Sequence, residues 1–439
     1  MQIEKLYSIF QQFPKISTDT RNIAPNSIFF ALKGANFNGN AFAKQALEAG
    51  AAYVVIDEKE YAEVSEKYIL VEDVLTALQE LAKHHRQQLH IPVIGITGTN
   101  GKTTTKELIY AVLSQKYQTL ATKGNLNNHI GVPLTLLSID SSVEVAIIEM
   151  GANHVGEIAM LSGLAQPTLG LITNVGKAHL EGFGSFEGVK TAKGELYTYL
   201  AEHDGTLFIQ SDNPHLVGMT KGKNFQQVLR YGFSEDCDVN GQLIAADPYL
   251  QIEWRVNRGT YSAIKTQLTG SYNTENILAA VAIGLTLGLS PEQINSGLEA
   301  YQPQNNRSQV AKTENNTVIA DFYNANASSM AAALDNMEVV TAERKVLILG
   351  DMFEMGDESA TEHQKLIQRA SQIDAPVRLF VGKAFYQQKD IAVEGAEANY
   401  FFASTSEAKA FLASQKLKDC FILLKGSRGM AFEQLMQEL

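Results

Sequence analysis

Residues 93–105 of the chain read VIGITGTNGKTTT, and this stretch decides the fold of the central part of the protein. Its apolar start predicts a buried strand, its glycines predict a tight turn, and the apolar spacing of residues 106–113 predicts a helix. A glycine-rich turn and a helix N-terminus together direct backbone N–H groups at an anion, so the stretch predicts a phosphate-binding loop. In such a loop Lys102 reaches terminal phosphates and the Thr103 hydroxyl can coordinate Mg²⁺. The usual motif has glycine where Ile96 stands, so the match is incomplete.

Composition narrows the class of protein. A chain of 439 residues should form two or three domains. Its net charge is −12 and it has no run of lysine and arginine, so we do not expect a nucleic-acid partner. No apolar run reaches the length of a membrane span, and the first residues do not resemble a secretory signal. Cys237 and Cys420, the only cysteines, suggest neither disulfides nor a zinc site, so we expect a cytoplasmic protein.

The order of strand and helix patterns predicts an α/β protein with three domains. Residues 1–88 are predicted to form a small α/β domain, and residues 89–303 a larger one that begins with the phosphate-binding strand. Strands alternate with helices in this second domain, which predicts a mainly parallel sheet. Residues 225–268 alternate apolar and polar residues and should be rich in strands. A polar linker at residues 301–307 leads to a last domain, residues 304–439, with a renewed strand–helix pattern.

Polar residues follow several predicted strands. Glu149 follows the strand at 143–148, and His179 follows the strand at about 169–175. Open α/β sheets bind ligands at the carboxyl ends of their strands, so a carboxylate such as Glu149 suits Mg²⁺ there. Taken alone, Lys193 would be an exposed lysine, and the asparagine-rich residues 125–128 are equally a loop or a ligand site.

Six segments give the chain a resemblance to the Mur ligases of bacterial cell-wall synthesis, along essentially its whole length. These segments are TGTNGKTT at 97–104, GNLNN at 124–128, AHLEGFG at 178–184, DFYNAN at 321–326, LGDMFEMG at 349–356 and KGSRGM at 425–430. The resemblance implies an N-terminal UDP-binding domain, a central ATPase domain with the phosphate-binding loop, and a Rossmann-like last domain that closes over the site. Among the successive Mur ligases, the resemblance is most specific to the one that acts last.

The resemblance also implies roles for individual residues. Those matching the ATP site are Gly98, Thr99, Asn100, Gly101, Lys102, Thr103, Thr104, Asn273, Asn276, Arg307 and Asp321. Those matching the metal site are Thr103, Glu149, His179 and Lys193, the last being a lysine that is carbamylated in related ligases. The expected catalytic residues are Lys102, His179 and Lys193. Those matching UDP-substrate positions are Asp19, Thr20, Arg21, Asn125, Asn127 and Asn128, and the candidates for the second substrate are Asn326, Lys425 and Ser427.

The implied reaction is ATP-dependent joining of D-alanyl-D-alanine to the terminal carboxylate of UDP-N-acetylmuramoyl-tripeptide, through an acyl phosphate. The implied cofactors are ATP and two Mg²⁺ ions, with a possible carbamate on Lys193, and we expect a monomer. Whether the tripeptide ends in lysine or meso-diaminopimelate stays open.

Two other functions compete with this one. The first is another amide ligase of the superfamily, either a folylpolyglutamate synthetase or an earlier Mur ligase. The second is a nucleotide-dependent switch or binding protein, although a guanine-specific motif is absent. The chain also departs from the family pattern twice. Ala327 replaces a proline after Asn-Ala-Asn, and residues 38–40 read Asn-Gly-Asn where Asp-Gly-His is frequent.

Overall fold

The structure, a computed structural model, describes residues 3–304 and 306–439. Residues 1 and 2, used above in judging the secretory signal, and residue 305 of the predicted linker lie outside the described residues. Within the described ranges, no helix is both long enough and apolar enough to cross a membrane.

The first part of the chain forms a small sheet with helices on its faces. Its strands are β1 (Lys15–Ser17), β2 (Ser27–Phe30), β3 (Lys33–Gly34), β4 (Phe37–Asn38), β5 (Tyr53–Ile56) and β6 (Tyr68–Leu70). Its helices are α1 (Ile3–Gln12), α2 (Ala43–Glu48) and α3 (Val74–Gln87). The sheet order is β1-β2-β5-β6 with all neighbours parallel, and β3 and β4 form a separate hairpin. β2 is buried along its whole length, as its apolar sequence predicts.

The middle part is built on one large twisted sheet. Its strands are β7 (Val93–Thr97), β8 (Thr119–Ala121), β9 (Val145–Glu149), β10 (Leu169–Ile172), β11 (Thr206–Gln210), β12 (Gln227–Gly232), β13 (Val239–Ala246), β14 (Tyr249–Val256) and β15 (Ser262–Thr269). The order is β15-β14-β13-β12-β11-β10-β7-β9-β8. Neighbours from β8 to β13 run parallel, and the pairs β13–β14 and β14–β15 are antiparallel. This arrangement confirms the mainly parallel sheet.

Helices cover both faces of this sheet. They are α4 (Lys102–Leu113), α5 (Gly131–Leu137), α6 (Glu157–Ala165), α7 (Leu180–Phe183), α8 (Phe186–Glu202), α9 (Pro214–Met219), α10 (Asn273–Thr286) and α11 (Pro291–Ala300). α10 packs against α4 and is buried almost throughout, because its sequence is apolar on most sides. α3 of the first part packs on the same core as α5 and α6, and the Arg86 guanidinium donates to the Ala165 carbonyl at 2.9 Å.

The last part forms a second open sheet. Its strands are β16 (Gln309–Lys312), β17 (Thr317–Asp321), β18 (Lys345–Gly350), β19 (Val377–Val381), β20 (Asn399–Phe402) and β21 (Phe421–Lys425). Its helices are α12 (Ala327–Val339), α13 (Ser359–Ser371), α14 (Lys383–Tyr386) and α15 (Thr405–Gln415). The order is β16-β17-β21-β18-β19-β20, parallel except for the pair β16–β17. Short 3₁₀ turns follow β21.

The two departures from the family pattern have local structural consequences. Ala327 is the first residue of α12, a position at which proline is common, and Asn326 caps that helix by accepting from the Ser329 N–H at 2.9 Å. Asn40 is buried, and its side-chain oxygen accepts from the Asp57 N–H at 3.0 Å. An asparagine at this position therefore closes the turn after β4 onto the end of β5.

Candidate active site

The loop between β7 and α4 depends on glycine at two positions. Gly98 has φ of +146° and Gly101 has φ of +77°, both in the region that favours glycine. A Cβ added to Gly98 would lie 2.0 Å from Oγ1 of Thr173, and one added to Gly101 would lie 2.9 Å from Oδ1 of Asn276. The loop therefore lies tightly between β10 and α10, with its backbone open on one side.

Lys102 lies at the start of α4 and folds back over this loop. Its Nζ donates to the carbonyl oxygens of Gly98 at 2.7 Å and Thr99 at 3.0 Å. Burial lowers the pKa of Lys102 to about 8, with the charge of Arg307 adding to the effect and that of Glu149 opposing it. An anion bound to the loop would raise this pKa again, because it favours the charged ammonium.

Glu149, the last residue of β9, is almost fully buried among polar partners. Its carboxylate accepts from the Thr103 hydroxyl at 3.0 Å and from the Asn127 amide at 2.8 Å. Nζ of Lys106 lies 3.6 Å from Oε2 of Glu149. Such hydrogen bonds and a nearby cation offset the cost of burying a carboxylate. The asparagine-rich stretch thus contacts, through Asn127, the same carboxylate that Thr103 contacts.

These groups suit Mg²⁺ only in part. Across the residues that the structure describes, no three His, Cys, Asp or Glu side chains cluster closely enough to hold a metal ion by themselves. The Thr103 hydroxyl and the Glu149 carboxylate are nevertheless adjacent hard oxygen donors, which Mg²⁺ prefers. Mg²⁺ is commonly held by one or two protein groups together with substrate phosphates and water. The donor set therefore fits an ion that arrives with a phosphate ligand.

Asn273 and Asn276 are linked by hydrogen bonds at the start of α10. The Asn276 amide donates to Oδ1 of Asn273 at 2.8 Å, and the Asn273 amide donates to the Thr269 carbonyl at 2.7 Å. Oδ1 of Asn276 accepts from the Thr105 hydroxyl at 3.0 Å. These bonds join α10 to α4, so the two asparagines also hold the loop-bearing helix in place.

The last domain touches the phosphate-binding loop directly. The Asn326 amide donates to Oδ1 of Asn100 at 2.8 Å, and the Asn100 amide donates to the Ser328 hydroxyl at 2.8 Å. The start of α12 is thereby joined to the loop through side-chain hydrogen bonds.

Arg307 and Asp321 lie on the same side of the site. The guanidinium of Arg307 stacks 3.7 Å from the centre of the Tyr323 ring. Asp321 forms an ion pair with Lys425, whose Nζ lies 2.6 Å from Oδ2, and also accepts from the Ser308 N–H at 3.1 Å. Lys425 is buried, and its ammonium is paired with the Asp321 carboxylate.

Lys193 and His179 lie next to this region. Lys193 is buried in α8, where its Nζ donates to the Ala152 carbonyl at 3.3 Å. Burial, and then the charge of Lys102, lower the pKa of Lys193 to about 7. His179 has φ of +52° and its Nδ1 is hydrogen-bonded to Glu354. Burial lowers the pKa of His179, although Glu354 opposes the shift.

Most of the predicted residues line one cavity of about 760 Å³ between the middle and last domains. Those that line it are Thr99, Asn100, Gly101, Lys102, Thr103, Thr104, Asn125, Asn127, Asn128, Glu149, His179, Asn273, Asn276, Arg307, Asp321, Asn326 and Lys425. Those that do not are Gly98, Lys193, Asp19, Thr20, Arg21 and Ser427.

The predicted residues outside the cavity have partners of their own. Arg21 pairs with Asp19 at the surface of the first domain, with Nη2 at 2.6 Å from Oδ2. The hydrogen bonds from Arg21 lower the pKa of Asp19 to about 2. Ser427 is buried, where its hydroxyl donates to the Asp351 carbonyl at 2.7 Å.

Sequence reasoning missed four residues of the site. Asn174 accepts from the Asn100 N–H at 2.9 Å, and Lys106 faces Glu149. The spacing of Lys106, one helical turn after Lys102, could have indicated it. Tyr323 and Glu354 lie inside two of the quoted segments, but nothing local in the sequence indicates that they meet Arg307 and His179.

Comparison with known proteins identifies the family of the chain. Three domain descriptions match: "Mur ligase family, catalytic domain" over residues 13–86, "Mur ligase middle domain" over 96–284, and "Mur ligase, glutamate ligase domain" over 306–428. The chain belongs to the Mur ligase family.

Several relatives are similar over nearly the whole chain. The UDP-N-acetylmuramoyl-tripeptide–D-alanyl-D-alanine ligase of Bacillus subtilis is 36% identical, over 97% of this chain and 92% of that protein. The ligase of the same name from Escherichia coli is 35% identical, over 97% and 93%. A crystal structure of MurF from Acinetobacter baumannii is 32% identical and superimposes with a TM-score of 0.86, over 97% of this chain and 93% of that chain.

Proposed function

We propose that the chain joins D-alanyl-D-alanine to the terminal carboxylate of UDP-N-acetylmuramoyl-tripeptide, with hydrolysis of ATP to ADP and phosphate, in the synthesis of peptidoglycan precursors. The observation that carries the proposal is that one cavity is lined both by the phosphate-binding loop of the middle domain and by Arg307, Asp321 and Asn326. The names of the relatives that match both ends of the chain support the choice of substrates.

ATP would bind with its phosphates on the loop at residues 98–104. Lys102 would leave the loop carbonyls and contact the terminal phosphate, and Asn273 and Asn276 would lie near the adenine. Thr103 and Glu149 would hold Mg²⁺, with His179 at a second ion. When bound, Mg²⁺ supplies positive charge that offsets the repulsion between the anionic substrates.

The chain's own residues would then favour each step of the reaction. A carboxylate is a poor electrophile, so the terminal carboxylate of the tripeptide takes the γ-phosphoryl group and becomes an acyl phosphate. The free amine of D-alanyl-D-alanine attacks the acyl carbon, and phosphate leaves. Lys102 and Arg307 would stabilise the charge that develops on the transferred group. The contacts of α12 with the loop would exclude water, which otherwise hydrolyses the intermediate.

Lys193 would act as a carbamate. Only a neutral amine reacts with CO₂, and an unperturbed lysine of pKa about 10.4 is neutral in roughly one molecule per thousand near pH 7.4. Burial lowers the pKa of Lys193 to about 7, so about 70% of the molecules have the neutral amine at pH 7.4. The modification would turn a buried cation into an anionic ligand for the second Mg²⁺.

The remaining contacts belong to the substrates. Asp19, Thr20 and Arg21 would bind the uridine nucleotide, and Asn125, Asn127 and Asn128 its sugar. Asn326, Lys425 and Ser427 are the candidates for D-alanyl-D-alanine, Ser427 through the loop that it holds. We further propose that residues 1–88, 89–303 and 304–439 are the three domains, and that the enzyme is a cytoplasmic monomer.

Phosphate release is the decisive measurement. The assay contains ATP, Mg²⁺ and UDP-N-acetylmuramoyl-tripeptide, with or without D-alanyl-D-alanine, and the product is weighed by mass spectrometry. We expect release that requires the dipeptide and a product heavier by one dipeptide less water. Running the lysine and meso-diaminopimelate forms of the tripeptide side by side identifies the third residue. Release that ignores the dipeptide, or that responds to a single amino acid, would refute the proposal.

A further inference from the structure

His179 in the middle domain is paired with a carboxylate from the last domain. Its Nδ1 is hydrogen-bonded to Oε2 of Glu354. His179 follows β10 of the large sheet, whereas Glu354 follows β18 of the last sheet. The pair therefore forms only when the last domain stands against the middle domain at this point.

Both partners have an unusual backbone conformation. His179 has φ of +52° and Glu354 has φ of +62°, in the left-handed region that residues other than glycine rarely adopt. Such conformations persist only where the surrounding structure enforces them, and they cluster at functional sites. Two of them meeting in one hydrogen bond indicate a contact that the fold maintains.

The segment that carries Glu354 is held by buried groups. The Met352 N–H donates to Nε2 of His363 at 3.2 Å, and the Phe353 N–H donates to the Ser427 hydroxyl at 3.2 Å. The Asp351 carboxylate accepts from two backbone N–H groups at the start of α14, at 2.9 and 3.0 Å. The backbone just before Glu354 is therefore held in place by hydrogen bonds.

We propose that Glu354 is a positioning residue for His179. By accepting a hydrogen bond from Nδ1–H, the carboxylate favours the tautomer of the imidazole in which Nε2 has a free lone pair, and His179 lines the cavity. Histidines that bind metals commonly donate their other N–H to a carboxylate, which raises the basicity of the coordinating nitrogen. Closure of the last domain thereby completes a metal ligand in the middle domain. This inference rests on the proposed role of His179 as a metal ligand.

A neighbouring ion pair provides the matched control. Nζ of Lys177 lies 2.7 Å from Oε2 of Glu358, and this pair also joins the middle domain to the last. Lys177 precedes His179 by two residues and Glu358 follows Glu354 by four. Removing either carboxylate takes away one contact between the two domains, although Nζ of Lys177 also lies 3.5 Å from Oε1 of Glu362, and of the two carboxylates only Glu354 is hydrogen-bonded to the imidazole.

The first test is the tautomer of His179, measured by ¹⁵N NMR of ring-labelled histidine in the full chain without substrates. The His179 signal is identified by its loss in His179→Gln. We expect the Nδ1–H form in the wild type and in Glu354→Gln, which retains an acceptor, and also in Glu358→Leu. Glu354→Leu should shift the ring towards the Nε2–H form. An unchanged tautomer in Glu354→Leu, or an equal shift in Glu358→Leu, overturns the proposal.

The second test is the affinity of the ADP-bound chain for a second Mn²⁺ ion, titrated by electron paramagnetic resonance after the first ion has filled the site at Thr103 and Glu149. We expect Glu354→Leu to weaken binding by about tenfold, the size of effect typical when a partner of a metal ligand is lost, and Glu354→Gln to restore most of it. Glu358→Leu should change binding less than twofold. Equal weakening in both leucine variants, or full affinity in His179→Gln, contradicts the proposal. Neither test uses ligase turnover, so a failure of the product assay is distinguishable from a failure here.

Discussion

Replacing Lys193 with methionine should stabilise the folded protein near neutral pH. Lys193 is 2% exposed, and its ammonium has the Ala152 carbonyl at 3.3 Å and the Phe183 ring at 5.0 Å as neighbours. Burial, and then the charge of Lys102, lower the pKa of Lys193 to about 7. On folding, Lys193 must therefore either be buried with its charge or lose a proton, and both cost free energy. Methionine has a similar length and neither cost.

The size of the effect follows from the two pKa values of Lys193. The value is about 10.4 in the unfolded chain and about 7 in the folded one. Between them the unfolded chain binds more protons, so the free energy of unfolding of the wild type rises with pH across this window. The depressed pKa of Lys193 lowers the free energy of unfolding of the wild type by about 4 kcal/mol at pH 7 and by about 2 kcal/mol at pH 9. The extra stability of the methionine variant over the wild type should therefore decrease by about 2 kcal/mol between pH 7 and pH 9.

Urea unfolding followed by fluorescence measures this difference. Trp254, the only tryptophan of the chain, is buried in β14 of the middle domain and reports on its unfolding. Buffers from pH 7 to pH 9 must be free of CO₂ and Mg²⁺, so that no carbamate forms. The control is Lys190→Met on the same helix, which removes a surface pair with Glu187 at 2.5 Å. It should change stability by less than about 1 kcal/mol at any pH.

Two outcomes would refute the reasoning. If Lys193→Met and the wild type differ by the same amount at pH 7 and pH 9, the pKa of Lys193 is not depressed in the folded protein. If the variant is less stable than the wild type at pH 7, packing by the lysine stem and its hydrogen bond outweigh the cost of burying the ammonium. Ligase activity should be lost in either case, because methionine cannot be carbamylated.

Three further predictions concern the loop and its contacts. Gly98→Ala should abolish ADP binding in calorimetry and destabilise the protein by about 1–3 kcal/mol, because φ there is +146°, and retained binding would contradict this. Asn326→Ala should lower the free energy of unfolding by about 1 kcal/mol, because it removes the N-cap of α12. Ser404→Ala, which removes the N-cap of α15, should have the same effect on stability, but only Asn326→Ala should slow phosphate release. Tyr323→Leu should raise the KM for ATP by up to about tenfold in steady-state kinetics, because the Arg307 guanidinium loses the ring on which it stacks. Tyr323→Phe keeps the ring and should leave the KM unchanged. Equal effects of the two variants would exclude ring stacking as the cause.

Features that depend on neighbouring residues were predictable from the sequence. The strand, loop and helix at 93–113 are observed at Val93–Thr97 and Lys102–Leu113. Glu149 ends its strand beside the loop, as the rule for parallel sheets predicts. The predicted strand-rich region after residue 225 contains β12 to β15. The environment of Lys193 was not predictable, because a lysine within a helix has the same local pattern whether it is exposed or buried.

The α/β class and the phosphate-binding loop could be inferred from the sequence alone, because side-chain periodicity and glycine-rich turns act over a few neighbouring residues. The family followed from the resemblance of six segments to those of the Mur ligases. Only the tertiary structure decided which distant groups meet. Asn100 and Asn326 are 226 residues apart, and His179 and Glu354 are 175 apart, yet each pair is joined by a hydrogen bond. Such contacts depend on how whole sheets pack and on how two domains stand against each other, and burial then sets the pKa values of Lys102 and Lys193.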